Sequence, residues 1–386
     1  MIEITQVATR RQQREFLNFP LRLYRDNPCF APPLYAGEKK IFDPSYPYYE
    51  VCEAVCYLAG KDGKTVGRIS GILHKTSNEL RNQKRVRFTR FDCIDDAEVA
   101  KALFDAVEKW AAEKGMNEVC GPLGFSNFER QGLLIEGFDR LSTFEEQYNA
   151  PYYARLLEQC GYTKEVDWLE RKVTLPEDGG ERLHRMRKLI EKRYHFRRMP
   201  VKNVRELSDK VGDAFLDLYE KCYTSLYGTV TLSEGVRKML LRMFRLVLNR
   251  KYVGVAVNEE GKIAAFGIAF PSIAKALQPS GGKLTPAAAV RVLRAAKKPE
   301  FLELGLVGVD PAFRTQGAVI LVVDAVAELL SGENAIAYAE TNMCLEDNFE
   351  IQNLWDNNFH TEIIKRRRAY VKALNACAEA DGVTEP

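Results

Sequence analysis

Two kinds of apolar spacing alternate along this chain. Short runs of apolar or alternating residues have the length of strands, and between them lie segments where apolar residues recur every three or four positions, as on one helix face. Residues 2–7 predict a strand and 10–25 a charged helix. Residues 54–60 and 65–73 flank Asp62-Gly63, a hairpin signature. A strand follows at 87–93, then a helix over 96–114 with Ala100, Leu103, Phe104, Val107 and Trp110 on one side, closed by Gly115. Residues 118–121 begin another strand. After helices at 184–198, 211–223 and 233–248 the order returns. Strands at 252–257 and 263–270 flank Glu260-Gly261, and a strand at 301–309 precedes a helix at 319–330. A strand at 335–340, a helix opened by Asn348 and a last strand at 363–371 complete the repeat. Hairpin, strand, helix, strand, helix occurs twice, so the chain divides into 1–178 and 179–386, with Pro176-Glu177-Asp178-Gly179-Gly180 at the boundary.

Residues 301–320, FLELGLVGVDPAFRTQGAVI, carry the densest chemistry. A buried strand, an Asp310-Pro311 break, a basic glycine-containing loop and a helix start come in that order. Such an order gathers free backbone N–H groups and the positive end of a helix dipole at one point. Arg314, Thr315, Gln316, Gly317 and Ala318 are the candidate anion-binding residues, and Val307 and Val309 offer strand backbone beside them. Gly317 lets a phosphate approach the main chain, so Gly317→Glu is expected to remove anion binding and leave the fold intact. The matching place in the first half, 94–99, has three carboxylates and neither Arg nor Gly, and these repel a phosphate.

Composition narrows the function classes. The 386 residues are 46% apolar and 28% charged, with a net charge of +3, an ordinary globular balance. Basic residues are dispersed, which argues against nucleic acid, apart from Lys365-Arg366-Arg367-Arg368, read as a solvated face with phosphate or anionic-membrane contact as the alternative. Nine cysteines without a CxxC pair or a histidine cluster suggest neither a disulfide framework nor a metal site. No apolar run reaches membrane-spanning length and the N-terminus lacks a signal-peptide core, so the reading is a soluble, cytoplasmic protein.

The segment Arg314-Thr315-Gln316-Gly317-Ala318 resembles the pyrophosphate loop of the GNAT acyltransferases, with Val319 where that family has Gly or Ala. A wider resemblance runs through Asn27-Pro28, Pro32-Pro33-Leu34, Gly67-Arg68-Ile69, Gly121-Pro122, Gly132-Leu133-Leu134, Tyr148-Asn149-Ala150-Pro151-Tyr152-Tyr153, Gly308-Val309-Asp310-Pro311 and Leu345-Glu346-Asp347-Asn348. These pieces are similar to the YghO-like family, which includes bacterial ceramide synthase-like N-acyltransferases. The resemblance implies an α/β fold of two tandem GNAT-like domains, each a mixed, mostly antiparallel sheet flanked by helices. It further implies acetyl-CoA or a longer acyl-CoA as co-substrate, held in the second half, with the first half lacking a usual CoA site. The acceptor it implies is a small-molecule or lipid amine; composition and apolar run lengths argue against nucleic acid and a transmembrane segment and leave peripheral membrane contact open.

Transfer of an acyl group from a thioester to an amine needs a polarised carbonyl, a proton acceptor and a proton donor for the thiolate. Strand backbone at 304–309 offers the first. Glu303 and Glu340 are the candidate bases, Tyr370 a candidate acid, and Asn348 a candidate partner for the pantetheine arm or a helix cap. Trp355 stands where the family's acidic tyrosine is implied. Pro271-Ser272-Ile273-Ala274 and Ser225-Leu226-Tyr227-Gly228 depart from the family's Pro-Asp-x-Asn and Asn-Trp-Gly segments, which points to a different acceptor. A non-catalytic acyl-CoA-binding or scaffold protein is the competing reading.

Overall fold

The computed structural model describes residues 1–143, 145–200, 203–332 and 335–374; Cys377 lies outside them. The first half runs β1 (Ile2–Gln6), α1 (Arg10–Leu23), α2 (Tyr35–Glu38), β2 (Cys52–Lys61), β3 (Lys64–His74), α3 (Lys75–Arg81), β4 (Arg85–Cys93), α4 (Ala97–Glu113), β5 (Glu118–Gly121), β6 (Leu133–Glu136), α5 (Tyr153–Gln159) and β7 (Thr163–Thr174). The second opens with α6 (Glu181–Tyr194), β8 (Arg197–Arg198), α7 (Val204–Tyr223), α8 (Glu234–Val247), β9 (Val253–Val257) and β10 (Ile263–Pro271). After α9 (Ala274–Leu277) and α10 (Pro286–Lys297) come β11 (Leu302–Val309), α11 (Val319–Ser331), β12 (Ala339–Thr341), β13 (Cys344–Leu345), α12 (Phe349–Asp356) and β14 (His360–Ala373). Local chemistry sets several of these bounds. Thr9 and Gln12 form a capping box at α1, and Asp96, Ser233 and Thr285 cap α4, α8 and α10.

The strands make one mixed, mostly antiparallel sheet in the order β1-β2-β3-β4-β5-β14-β7-β12-β11-β10-β9-β8. Parallel pairing occurs at β4–β5 and β11–β12. Each half places its last strand beside the other half's strands, since β14 follows β5 and β7 follows β12. The longest ladder joins β7 to β14 themselves, from His360↔Thr174 to Val371↔Thr163. One apolar core packs α4 and α5 on the first half. A second packs α7 and α8 on one face of β9 and β10, and a third lies under α11 and α12 on the other side of the sheet.

The basic run at 365–368 is a strand segment, not a solvated face. Period-two alternation sends Arg366 and Arg368 to one side, where Arg368 Nε meets Asp167 Oδ1 at 2.8 Å and Arg366 Nε meets Glu136 Oε1 at 3.2 Å. Lys365 and Arg367 go to the other side and are buried, at 1% and 0% exposure. There Lys365 Nζ lies 3.0 Å from Glu170 and from Glu340 and 3.5 Å from Glu146. Arg367 holds Glu170 and the Gln147 carbonyl in short contacts. The second reading of this run, as a phosphate or membrane patch, fails for the same reason.

Removing one partner of a buried ion group strands the others at a cost of about 3–5 kcal/mol. Lys365→Met is therefore expected to destabilise the chain on that scale, measured as a lowered urea midpoint at unchanged slope. A shift no larger than that of an exposed control such as Lys101→Met would show that the cluster carries little of the stability.

Candidate functional site

The site grows from β11. This strand pairs with β10 from Leu302 to Val309, but with β12 at only Leu302, Glu303 and Leu304. Beyond that point β13 turns away to pair with β7 at Leu169 and Trp168. From Gly305 on, β11 thus has a neighbour on one side only. The ladder with β10 shifts register here, and Gly305 is needed because an added Cβ would lie 2.6 Å from the Phe270 ring. Gly305, Leu306 and Val307 are correspondingly half-buried in an otherwise buried strand.

The gap opens a cavity of about 570 Å³. Its walls are Val319, Val322, Val323 and Val326 of α11, Ile351, Leu354 and Trp355 of α12, and Gly267 to Ala269 of β10. At the far end it reaches Tyr223, Tyr227, Trp168, Asn127 and Gln131. Arg314, Thr315, Asn348 and Glu350 also line it, and Arg314 Nη1 lies 3.5 Å from Glu350 Oε2. The lining is mostly apolar with a few polar groups, as in sites for small organic ligands.

Residues Pro311–Gln316, read as a loop, form a 3₁₀ turn whose amides are largely used within it. Asp310 Oδ1 accepts from Ala312 N–H at 2.9 Å, and Gly317 N–H reaches the Arg314 carbonyl at 3.4 Å. Among the described residues, the amides of Ala318 and Val319 at the start of α11 have no hydrogen-bond partner in the protein. Ala318 is fully buried, so the N–H of Val319, which lines the cavity, with the helix dipole behind it, is what the corner offers an anion. Gly317 adopts φ +73°, and an added Cβ would approach Ile190 Cδ1 to 2.9 Å. Gly317→Glu therefore strains the backbone, which corrects the expectation that it leaves the fold untouched.

The other sequence candidates separate. Val307 and Val309 line the cavity, but both main-chain groups of Val307 and the carbonyl of Val309 are engaged. The Tyr223 hydroxyl donates to the Val307 carbonyl at 2.9 Å and accepts from its N–H at 3.2 Å, and the Cys222 thiol donates to the Val309 carbonyl at 3.3 Å. Asn348 caps α12, its Oδ1 accepting from Ile351 N–H at 3.3 Å, and lines the cavity as well. Gln316, Gly317, Ala318, Glu303, Glu340 and Tyr370 are not part of the lining. Tyr370 sits in the first half's core with its hydroxyl 3.4 Å from Glu158, away from the proposed chemistry. Glu340 accepts from Lys365 at 3.0 Å.

Glu303 is 5% exposed, and neither of its oxygens has a hydrogen-bond partner among the described residues. Burial pushes its carboxyl well above the usual range and Glu145 nearby adds to that, while the Ser272 side chain, beyond good hydrogen-bond geometry, offsets only part of it. It lies level with Glu340 across the parallel ladder, on the face opposite Leu304. Trp168, at the cavity's far end, pairs in register with Arg367 of the ion cluster, so cluster and cavity adjoin. Burial, followed by the charge of Glu170, raises Glu146 to about 7. Burial also acts on Glu170, but Arg367 and Lys365 outweigh it and hold that carboxyl down to about 2.

The corresponding place in the first half is filled. Tyr153 hydroxyl accepts from Cys93 N–H at 2.9 Å and donates to the Cys93 carbonyl at 3.2 Å, while Asp96 caps α4 by accepting from Glu98 and Val99.

Solved structures share this architecture end to end. The chain aligns over 97% of its length with 98% of a tandem GNAT protein from the clavulanic acid biosynthesis pathway, at TM-score 0.54 and 12% identity. It aligns over 96% with 95% of a GCN5-related N-acetyltransferase from Sphaerobacter thermophilus, at TM-score 0.50 and 11% identity. The fold is thus that of a tandem GNAT-like protein. In sequence the chain is similar to Protein YghO of Escherichia coli (strain K12), at 25% identity over 378 residues, covering 94% of this chain and 93% of that protein. It is also similar to the bacterial ceramide synthase of Caulobacter vibrioides (strain NA1000 / CB15N), at 25% identity over 329 residues and 81% and 82% coverage. No protein-family model matches the chain.

Sequence reasoning missed Tyr223, Gln131 and the carboxylates Glu145, Glu146 and Glu170. A usable signal existed only for Glu170, since 163–174 reads as a strand whose acids match the cations of 365–368. Gln131 is 7% exposed and its Oε1 has no partner among the described residues, so it offers the cavity a free acceptor.

The raised carboxyl of Glu146 sets a pH dependence. In the unfolded chain it titrates near 4.3, so between about pH 4.3 and 7 the folded state holds the proton and the unfolded state does not. Its contribution to stability falls as pH rises through that window. Glu146→Gln is expected to flatten the decline in denaturation curves taken across it; parallel curves for the two proteins would exclude this assignment.

Proposed function

We propose that the chain is an acyl-CoA-dependent N-acyltransferase with its site in residues 179–386, while residues 1–178 shape the acceptor side. The observation that carries this reading is the gap between β11 and β12, which opens an apolar cavity beside the unpartnered Val319 amide at the start of α11. On this reading the amide of Val319, with Arg314, holds the nucleotide's diphosphate, and the α11 and α12 walls take the pantetheine and acyl chain. Gln131 and Trp168 face the acceptor end. Glu303 lies on the face of β11 opposite the cavity and Glu340 is bonded to Lys365, so neither is assigned as the base. The relative named a ceramide synthase supports a lipid amine as the acceptor class.

A second reading, a non-catalytic acyl-CoA binder or scaffold, is favoured by one observation. The Tyr223 hydroxyl already occupies both main-chain groups of Val307, where a thioester arm would pair.

Melting temperature with acetyl-CoA and with a long-chain acyl-CoA tests binding, and thiol release with a panel of small and lipid amines tests transfer. Arg314→Glu, whose charged partner in the protein is the exposed Glu350, is expected to weaken acyl-CoA binding about tenfold or more without changing the unliganded melting temperature. Stabilisation by acyl-CoA with no thiol release from any amine would leave the binder reading; no stabilisation by either ligand would remove both.

A further inference from the structure

The insertion between β10 and β11 is built inside out. α10 turns Ala288 inward and packs on α9, with Arg291 Nε donating to the Ala276 carbonyl at 3.2 Å. Its outward face carries Val290 and Leu293, 48% and 69% exposed, next to Arg294 and Lys297, and Leu284 just before the helix is 60% exposed. A helix bounded by water places such residues the other way round.

Charge on the same segment is one-sided. No acidic residue occurs from 261 to 299, whereas Lys283, Arg291, Arg294, Lys297 and Lys298 fall within 283–298. Elsewhere exposed cations are commonly paired, as in Lys101–Asp105, Lys238–Glu234 and Lys275–Glu300. Among the described residues, none of Lys283, Arg294, Lys297 or Lys298 has a carboxylate within ion-pair distance. The segment is nonetheless firmly seated. Gln278 Nε2 donates to the Pro28 and Phe30 carbonyls at 2.8 and 3.0 Å, and Tyr35 N–H donates to the Gly282 carbonyl at 3.0 Å.

We propose that residues 283–298 form a docking surface for an anionic lipid bilayer, with Leu284, Val290 and Leu293 entering the headgroup boundary and the unpaired cations meeting lipid phosphates. The combination selects this occupant. Exposed aliphatics between cations suit an interface that is apolar below and anionic above, while a nucleic acid uses only the charge. The surface goes beyond the proposed transferase reaction and does not depend on it.

Co-sedimentation of the full chain with phosphatidylcholine vesicles, and with vesicles in which about one-third of the lipid is phosphatidylglycerol, tests the surface. Binding is expected only to the anionic vesicles and to weaken with salt. Combined Arg294→Glu, Lys297→Glu and Lys298→Glu is expected to weaken it about a hundredfold, and combined Val290→Ser and Leu293→Ser about tenfold or more. All of these residues are on the outer face, so melting temperature and the acyl-CoA response serve as fold controls. Equal binding to neutral vesicles, or variants that bind like the parent, would overturn the proposal. So would a concentration-dependent dimer that the apolar pair removes without any vesicle binding, which would assign the face to a second copy. Duplex DNA binding that only the charge variant removes would assign it to a polyanion and equally overturn it.

Discussion

Lys365 and Arg367 are the constraint on which the architecture turns. Two cations with almost no solvent exposure are tolerable only where carboxylates meet them, and Glu146, Glu170 and Glu340 come from three separate parts of the chain. The first two belong to the first half and the third to the second half. Satisfying both charges therefore requires β14 to lie beside β7, with β12 on the far side of β7. Charge alone does not fix the register, because all four residues at 365–368 are cationic and a one-residue slip still presents two of them to each face. Shape does. An added Cβ at Gly132 would lie 2.9 Å from Arg367 Cβ, and one at Gly137 would lie 2.9 Å from Lys365 Cγ, so these glycines accept those two side chains closely.

The same exchange opens the cavity. Because β7 stands next to β12 and then draws β13 to itself, β11 is left unpaired on one side from Gly305 onward. Arg171 of β7 strengthens that geometry. Its N–H donates to Thr341 Oγ1 at 2.9 Å, and its guanidinium reaches Asp356 and Gln352 of α12 at 3.1 and 3.0 Å. One residue of the first half thus positions both the end of β12 and the α12 wall. Strand exchange and ligand space are two results of one pairing, which explains why the second half's site includes Trp168 and Gln131 from the first.

Local chemistry made much of the fold legible in the sequence. The hairpins at Asp62-Gly63 and Glu260-Gly261, the helix capped by Asp96 and the strand ending at Val309 all follow from turn chemistry and apolar period. The exchange of β7 and β14 was not legible, because chain order names the next element but not the sheet edge it joins. For the same reason Lys365-Arg366-Arg367-Arg368 read as a solvated run: a cation in a strand is recognisable as buried only when its carboxylate partners are known, and those lie at 146, 170 and 340. Tyr370 went astray with the strand that carries it. Arg314, Thr315, Val307, Val309 and Asn348 come together at the cavity because it is bordered by one contiguous stretch and one helix start. Tyr223 lies more than eighty residues from Val307, and no local pattern announces the contact.

The two halves show how one backbone plan is kept open or closed by what fills it. In each, a tyrosine hydroxyl satisfies both main-chain groups of a residue on the strand before the key helix, Tyr153 at Cys93 and Tyr223 at Val307. The helix starts differ. Asp96 places a carboxylate over the first amides of α4 and pairs with Lys61 at 2.7 Å, so that corner is already neutralised and occupied. Ala318 has no polar side chain to do this, and its amide and that of Val319 stay unpartnered at the head of α11. The tyrosines differ in setting too. Tyr153 is wholly buried among Phe91, Tyr24 and Tyr152, whereas Tyr223 borders a cavity of about 570 Å³ and stacks its ring on Tyr219 at 4.8 Å.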